Sequence, residues 1–123
     1  MTTLVNIKER PTPLYDLYIG RANKWLNLAE SKWHNPFPMK NEGMREVVVH
    51  RYFNYLHCSQ ELLEALHEID NLILGCYCHN RLCHGDVLIN TRKLQIEFHD
   101  VWPINHISIN DIVKRVVRKH HDI

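Results

Sequence analysis

Long apolar runs are missing from this chain, and so are the glycines and prolines that would break it into modules. No uncharged stretch approaches the length of a membrane-spanning helix, so no membrane span is expected. Only 4 Gly and 5 Pro occur among 123 residues, which argues against collagen-like, low-complexity or linker-rich chains. Charge of one sign is also lacking: the net charge of +1 argues against binding nucleic acid by bulk electrostatics and leaves only local patches for it. Familiar signatures are absent too: there is no G-x-G-x-x-G, no G-K-[ST], no H-E-x-x-H and no G-x-S-x-G. The opening MTTLVNIKER has no basic start followed by an apolar core, so no signal peptide is expected and the compartment should be a reducing cytoplasm. There the 4 cysteines should serve as free thiols, ligands or catalytic groups rather than as bridges.

What is present fits one α/β domain spanning 1–123, large enough to hold a core without staples. Thr3 to Ile7 alternates like a first strand, and Asp16 to Gly20 reads as a second. The segment 22–31 reads as a short helix around Trp25 and Leu28. From Gly43 a helix is expected, because Met44, Val47, Val48, Tyr52, Tyr55 and Leu56 recur at the helical period. Ser59 should cap the next helix, whose buried stripe is Leu62, Leu63, Leu66 and Ile69. Leu72 to Cys78 is a nearly continuous apolar run, the habit of an interior strand covered on both faces. A further helix should start at Asp86, a half-exposed strand should follow at Gln95 to Val101, and a basic amphipathic helix should open at Ser108. The expected architecture is a layered, Rossmann-like domain with a mostly parallel central sheet of about four strands flanked by helices.

The densest chemistry lies in GCYCHNRLCHGD, residues 75–86. Thiolates and imidazole make Cys76, Cys78, Cys83 and His84 a candidate zinc set. Their spacing disfavours it, because one residue separates Cys76 from Cys78 and the neighbours Cys83 and His84 usually point apart. No metal or cofactor is favoured, with zinc as the alternative. A Cys76–Cys78 disulfide is disfavoured as well, since residues two apart on a strand carry parallel Cβ vectors; Cys76 reads best as a small packing residue. Cys83 and His84 stand where a strand hands over to a helix, where unpaired N–H groups and the helix dipole favour anions and thiolates. Cys83 is therefore the candidate nucleophile and His84 the candidate acid, base or donor. Asp86 is read mainly as a first-turn acid and also as a catalytic candidate, and Gly85 permits tight backbone.

A second unusual run is Lys32-Trp33-His34-Asn35-Pro36-Phe37-Pro38, an aromatic and amide loop stiffened by proline, with Arg21 nearby in sequence. Such residues can stack on a ring and contact phosphate. Taken alone, Trp33 and Phe37 read more simply as plugs of the core.

The ordered features Val5-Asn6-Ile7, Tyr18-Ile19-Gly20-Arg21, Ser31 to Pro38, Arg45 with a helix ending Tyr55-Leu56, and Leu74 to Cys78 with Cys83 to Leu88 resemble a small family. It is domain-of-unknown-function family 4326, found in bacteria, their phages and other viruses, and the likeness covers roughly residues 3–90. Two departures stand out: about nine residues are inserted around Trp25, with His34 in place of the usual glycine, and His79 to Leu82 replaces a proline-containing turn. Residues 95–123 look like an extension. The resemblance supports the motifs and implies no activity; for a viral protein the compartment would be the host cytoplasm.

Turns that follow parallel strands gather at one edge of a sheet. Arg21, Lys32, Trp33, Asn35, Cys83, His84 and Asp86 are therefore expected around one pocket, with Asn6, Phe37 and Gly85 contributing. Such a set suits a nucleotide-like or other phosphorylated small molecule, bound by a sequestering or sensing protein. Two alternatives are an enzyme, a transferase or glycosidic-bond hydrolase using Cys83 and His84, and a zinc-stabilised module touching nucleic acid through Lys114 to Lys119. Self-association is compatible with all three.

Overall fold

Three short strands, all running the same way, organise the molecule. The computed structural model describes residues 1–78 and 81–98. Strands β1 (Thr3–Asn6), β2 (Leu17–Tyr18) and β3 (Ile73–Cys76) form a sheet of order β1-β3-β2, parallel throughout. Thr3 pairs with Ile73 and Asn6 with Cys76, while Leu17 and Tyr18 pair with Leu74 and Gly75. The C-terminal ends of all three strands consequently lie on one edge. Residues just past them, Ile19 to Arg21 after β2 and Tyr77 and Cys78 after β3, are delivered to the same place.

The apolar run of β3 takes the central position because its alternate side chains are covered on both faces. Leu74 and Cys76 belong to the main core, whereas Gly75 lies against Ile7 and Tyr15. A Cβ at Gly75 would come within 2.9 Å of the Tyr15 ring, so the missing side chain lets that ring rest on the strand.

Helix α1 (Arg45–His57) follows a 3-10 turn at Glu42–Met44 and buries Val48, Val49, Tyr52, Phe53 and Leu56. Val47 is exposed, off the buried face. Helix α2 (Gln60–Ala65) starts at Ser59, whose Oγ accepts the Leu62 N–H at 3.2 Å. It tightens into a 3-10 turn, Leu66–Ile69, that leads to β3. Helix α3 (His84–Glu97) packs on α1 and β1 through Val87, Leu88, Thr91 and Leu94.

Three expectations change. Residues 22–31 are not helical: Asn23 and Leu28 exchange backbone hydrogen bonds at 2.8 and 2.9 Å, and Trp25 is 96% exposed at the tip. Local side-chain bonding wins there, since the Asn23 amide oxygen accepts the Leu26 N–H and Asn27 adopts φ 53°. Helix α3 begins at His84 rather than Asp86, with Cys83 as its cap. It also runs through Gln95–Glu97, where a strand was expected, because its buried face continues through Leu94 and the Gln95 amide donates to the Leu63 carbonyl at 3.0 Å. The described residues thus form an α/β fold with three parallel strands and three α-helices. The rest of the expected fourth strand and the helix from Ser108 lie outside the described residues, as do His79 and Asn80.

Candidate functional site

At the C-terminal edge of the sheet lies a cavity of about 360 Å³, bounded by the ends of β2 and β3, the start of α3 and the face of α1. That volume suits a small organic ligand. Tyr18, Phe37, Met39, Val48 and Leu82 make much of the wall apolar, and Arg21, Arg45, Cys78, Cys83 and His84 supply its polar groups.

Arg21 is exposed where the chain leaves β2. Its Nε donates to the Asn35 carbonyl at 2.9 Å, leaving both terminal nitrogens without a protein partner among the described residues. Asn35 itself is occupied: its Oδ1 accepts the Phe37 N–H at 2.9 Å and its Nδ2 donates to the Val48 carbonyl at 3.2 Å. The amide therefore fastens the proline-stiffened loop to α1 and so presents Phe37 to the cavity.

His84, at the first position of α3, is buried against Tyr52 with ring centroids 5.0 Å apart. Its Nε2 lies 2.7 Å from the Ile19 carbonyl and must donate to it. Burial pushes the imidazole pKa down, against the pull of that carbonyl, and so favours the neutral ring. Nδ1 is then left as an acceptor on a ring that lines the cavity.

Cys83 is 2% exposed and caps α3, and its N–H donates to the Asp86 carboxylate at 3.0 Å. The pair forms a capping box in which sulfur takes the place usually held by a hydroxyl. Contacts with Cys76 and Cys78, together with burial, hold the Cys83 thiol well above its usual pKa. Burial and the neighbouring sulfurs thus oppose the thiolate form that a nucleophile uses. Cys78 is the opposite case, since the neighbouring Cys76 and Cys83 thiols favour its thiolate, with the Arg45 guanidinium adding to the effect. The three sulfurs lie within 4.8 Å of one another, so they could hold a metal ion. His84 is outside that group, turned to Ile19.

Arg21, Asn35, Phe37, Cys83 and His84 are thus brought together, and five other candidates stand elsewhere. Trp33 is 1% exposed in the core, its carbonyl accepting the Tyr52 hydroxyl at 2.9 Å. Lys32 pairs with Glu68 at 2.7 Å beside a separate shallow depression. Asn6 closes the turn after β1 by accepting the Lys8 N–H at 2.9 Å, Asp86 caps α3, and Gly85 admits the Leu4 and Ile19 methyls. At Gly85 a Cβ would stand 2.7 Å from Leu4 Cδ1.

Arg45 was missed as a site residue. Its guanidinium binds Glu42 through Nε and Nη2 and donates from Nη1 to the Leu82 carbonyl at 2.9 Å, tying α1 to the cysteine loop. A signal existed: a cation at the first position of a helix opposes the dipole, which points to a use outside that helix. Tyr18 and Tyr77 were missed because nothing in the sequence says which side of a strand end faces a cavity.

Comparison with known proteins places these residues in a family. Residues 5–93 match the family described as Domain of unknown function (DUF4326), and the chain belongs to it. It is also similar to Uncharacterized protein R718 of Acanthamoeba polyphaga mimivirus, 39% identical over 111 residues, covering 79% of this chain and 83% of that protein. No solved structure matches. Among the described residues no helix is long and apolar enough to cross a membrane.

Proposed function

We propose that the cavity binds a nucleotide-like or other phosphorylated, ring-bearing small molecule, and that the protein sequesters or senses it. The observation that carries this reading is the pairing of an apolar, aromatic wall with Arg21, whose terminal nitrogens are unengaged by the described residues. A guanidinium fork matches a phosphate, while Phe37 and Tyr77 offer faces for a ring. The setting is where parallel sheets ordinarily receive ligands, past the C-terminal strand ends and beside a helix start. The finer likeness to a Rossmann-like layered domain belongs to the same proposal. Binding is preferred to catalysis by Cys83 because that residue is 2% exposed as the cap of α3, with its sulfur 3.9 Å from Cys76 Sγ. The viral relative fits a protein that acts in a host-cell cytoplasm.

The test is a thermal-shift and calorimetric panel of mononucleotides, cyclic nucleotides, sugar phosphates and the matching nucleosides. A phosphorylated ring compound should raise the melting temperature, its nucleoside should do so far less, and Arg21→Ala should weaken binding by about tenfold or more. The reading fails if no phosphorylated compound shifts the melting point or if Arg21→Ala leaves the affinity unchanged. Appearance of a product would replace binding with catalysis.

A further inference from the structure

The three cysteines are more than packing residues. Cys76 ends β3, Cys78 follows two residues later, and Cys83 caps α3, so a strand end and a helix start deliver three sulfurs to one spot. Cys76 Sγ and Cys83 Sγ are 3.9 Å apart, and all three sulfurs fall within 4.8 Å. A tetrahedral zinc with its usual sulfur distances holds its thiolates about 3.8 Å apart. All three are free thiols, and the 3.9 Å separation of Cys76 Sγ from Cys83 Sγ is far beyond a disulfide bond.

We infer that Cys76, Cys78 and Cys83 form a three-thiolate site for zinc or a similar thiophilic divalent cation, with its fourth position turned to the cavity. Sequence spacing argued against a metal because one residue separates Cys76 from Cys78 and because Cys83 and His84 were treated as joint ligands. The fold separates them: Cys83 faces the other two sulfurs, while His84 gives Nε2 to the Ile19 carbonyl. Three protein ligands and one open position are the pattern of zinc sites that exchange water or ligand. Cys78 and Cys83 both line the cavity, so that fourth position is open to a small molecule.

Charge agrees with this assignment. Binding requires all three sulfurs as thiolates, sends the thiol protons that remain to solvent, and leaves a site of net charge −1 from three thiolates and one dication. The Arg45 guanidinium stands beside Cys78, and the positive end of α3 lies at Cys83. Both offset that charge where apolar residues such as Leu74 and Leu88 would otherwise make it costly.

This inference stands on the sulfur cluster alone, independent of any phosphorylated ligand. The protein should be purified without chelators under a thiol-free reductant and analysed for bound metals, then titrated with cobalt after metal removal. We expect about one metal per chain and an intense thiolate-to-cobalt charge-transfer band with tetrahedral d–d bands. Cys78→Ser should weaken uptake by about tenfold or more, whereas Cys58→Ser, which changes the exposed cysteine elsewhere, should leave it unchanged. Cys83→Ser alters the α3 cap and is not needed. If Cys78→Ser does not fold, the cobalt spectrum of the unsubstituted chain decides. Octahedral cobalt, uptake below about a tenth of an equivalent, or a Cys76–Cys83 disulfide in protein handled without air would each overturn the site.

Discussion

The Trp33 loop and the Cys83 loop look equally functional as sequence, and the fold uses them differently. In the first, polar groups are spent within the protein: Asn35 binds Phe37 and Val48, Ser31 accepts the Trp33 N–H, and Lys32 pairs with Glu68. In the second, His84 keeps a free Nδ1 among the described residues, and three thiols face one another beside a cavity. Residue type alone does not mark a site. What separates the loops is whether hydrogen-bonding capacity remains after the backbone has been satisfied.

The sharpest way to break that comparison is Trp33→Ala. Removing a ring that is 1% exposed should cost about 3–5 kcal/mol in urea unfolding, with cobalt uptake kept in the folded fraction. A stability loss under about 1 kcal/mol combined with lost ligand binding would move the Trp33 loop into the site. A smaller effect is expected at Asp86, 2% exposed, whose carboxylate accepts the buried Cys83 N–H at 3.0 Å. Asp86→Ala should destabilise by about 1–2 kcal/mol, and Asp86→Asn, which keeps an acceptor, by less. Should Asp86→Asn stop ligand turnover without changing stability, its role would be chemical.

These contrasts explain how much could be read in advance. The parallel arrangement followed from the buried run at Leu72 to Cys78, and Ser59 and Leu62 marked the second helix through local bonding. Gln95 to Phe98 alternates as a strand would, but alternation cannot register that Leu94 and Gln95 already have partners on α2 and the core. At the site, the gathering of Arg21, Phe37, Cys83 and His84 was legible because each follows or faces a strand end. The burial of Trp33 and the separation of His84 from the sulfurs depend on which way a side chain turns, and spacing does not encode that.

Histidines sharpen the comparison through pH. His57, stacked on Phe53 with ring centroids 4.0 Å apart, is pushed down to about 4 by burial. Its unfolded counterpart titrates near 6.5, so between these values the unfolded chain binds more protons than the folded one. Stability should therefore fall as pH drops from about 6.5 toward 4, and be regained on raising it. His84, also pushed down by burial, adds a slope of the same sign. The Glu42 carboxylate, held down to about 2 by Arg45, would act only lower, below its ordinary value of 4.5. His57→Gln should flatten the upper part of the profile measured by urea unfolding, and ligand affinity should keep its pH dependence, since of these two histidines it is His84 that lines the cavity. An unchanged stability profile would mean that His57 is hydrated in solution.

The smallest effect should come from Lys32, and it tests the partition of the two loops most directly. Lys32 Nζ lies 2.7 Å from Glu68 and 5.2 Å from the centre of the Trp33 ring, with both charged side chains about half exposed. An exposed pair of this kind contributes about 0–1 kcal/mol, because solvent screens it and the long side chains lose freedom in forming it. Lys32→Ala should accordingly shift urea unfolding by less than about 1 kcal/mol and leave the thermal shift expected from the proposed phosphorylated ligand unchanged, while Arg21→Ala should reduce it. Both residues carry one positive charge near the same loop, so a ligand drawn in by net charge alone would respond equally to either substitution. Unequal responses would locate recognition at the Arg21 fork, and equal ones would mean that the cavity is not where the phosphate sits.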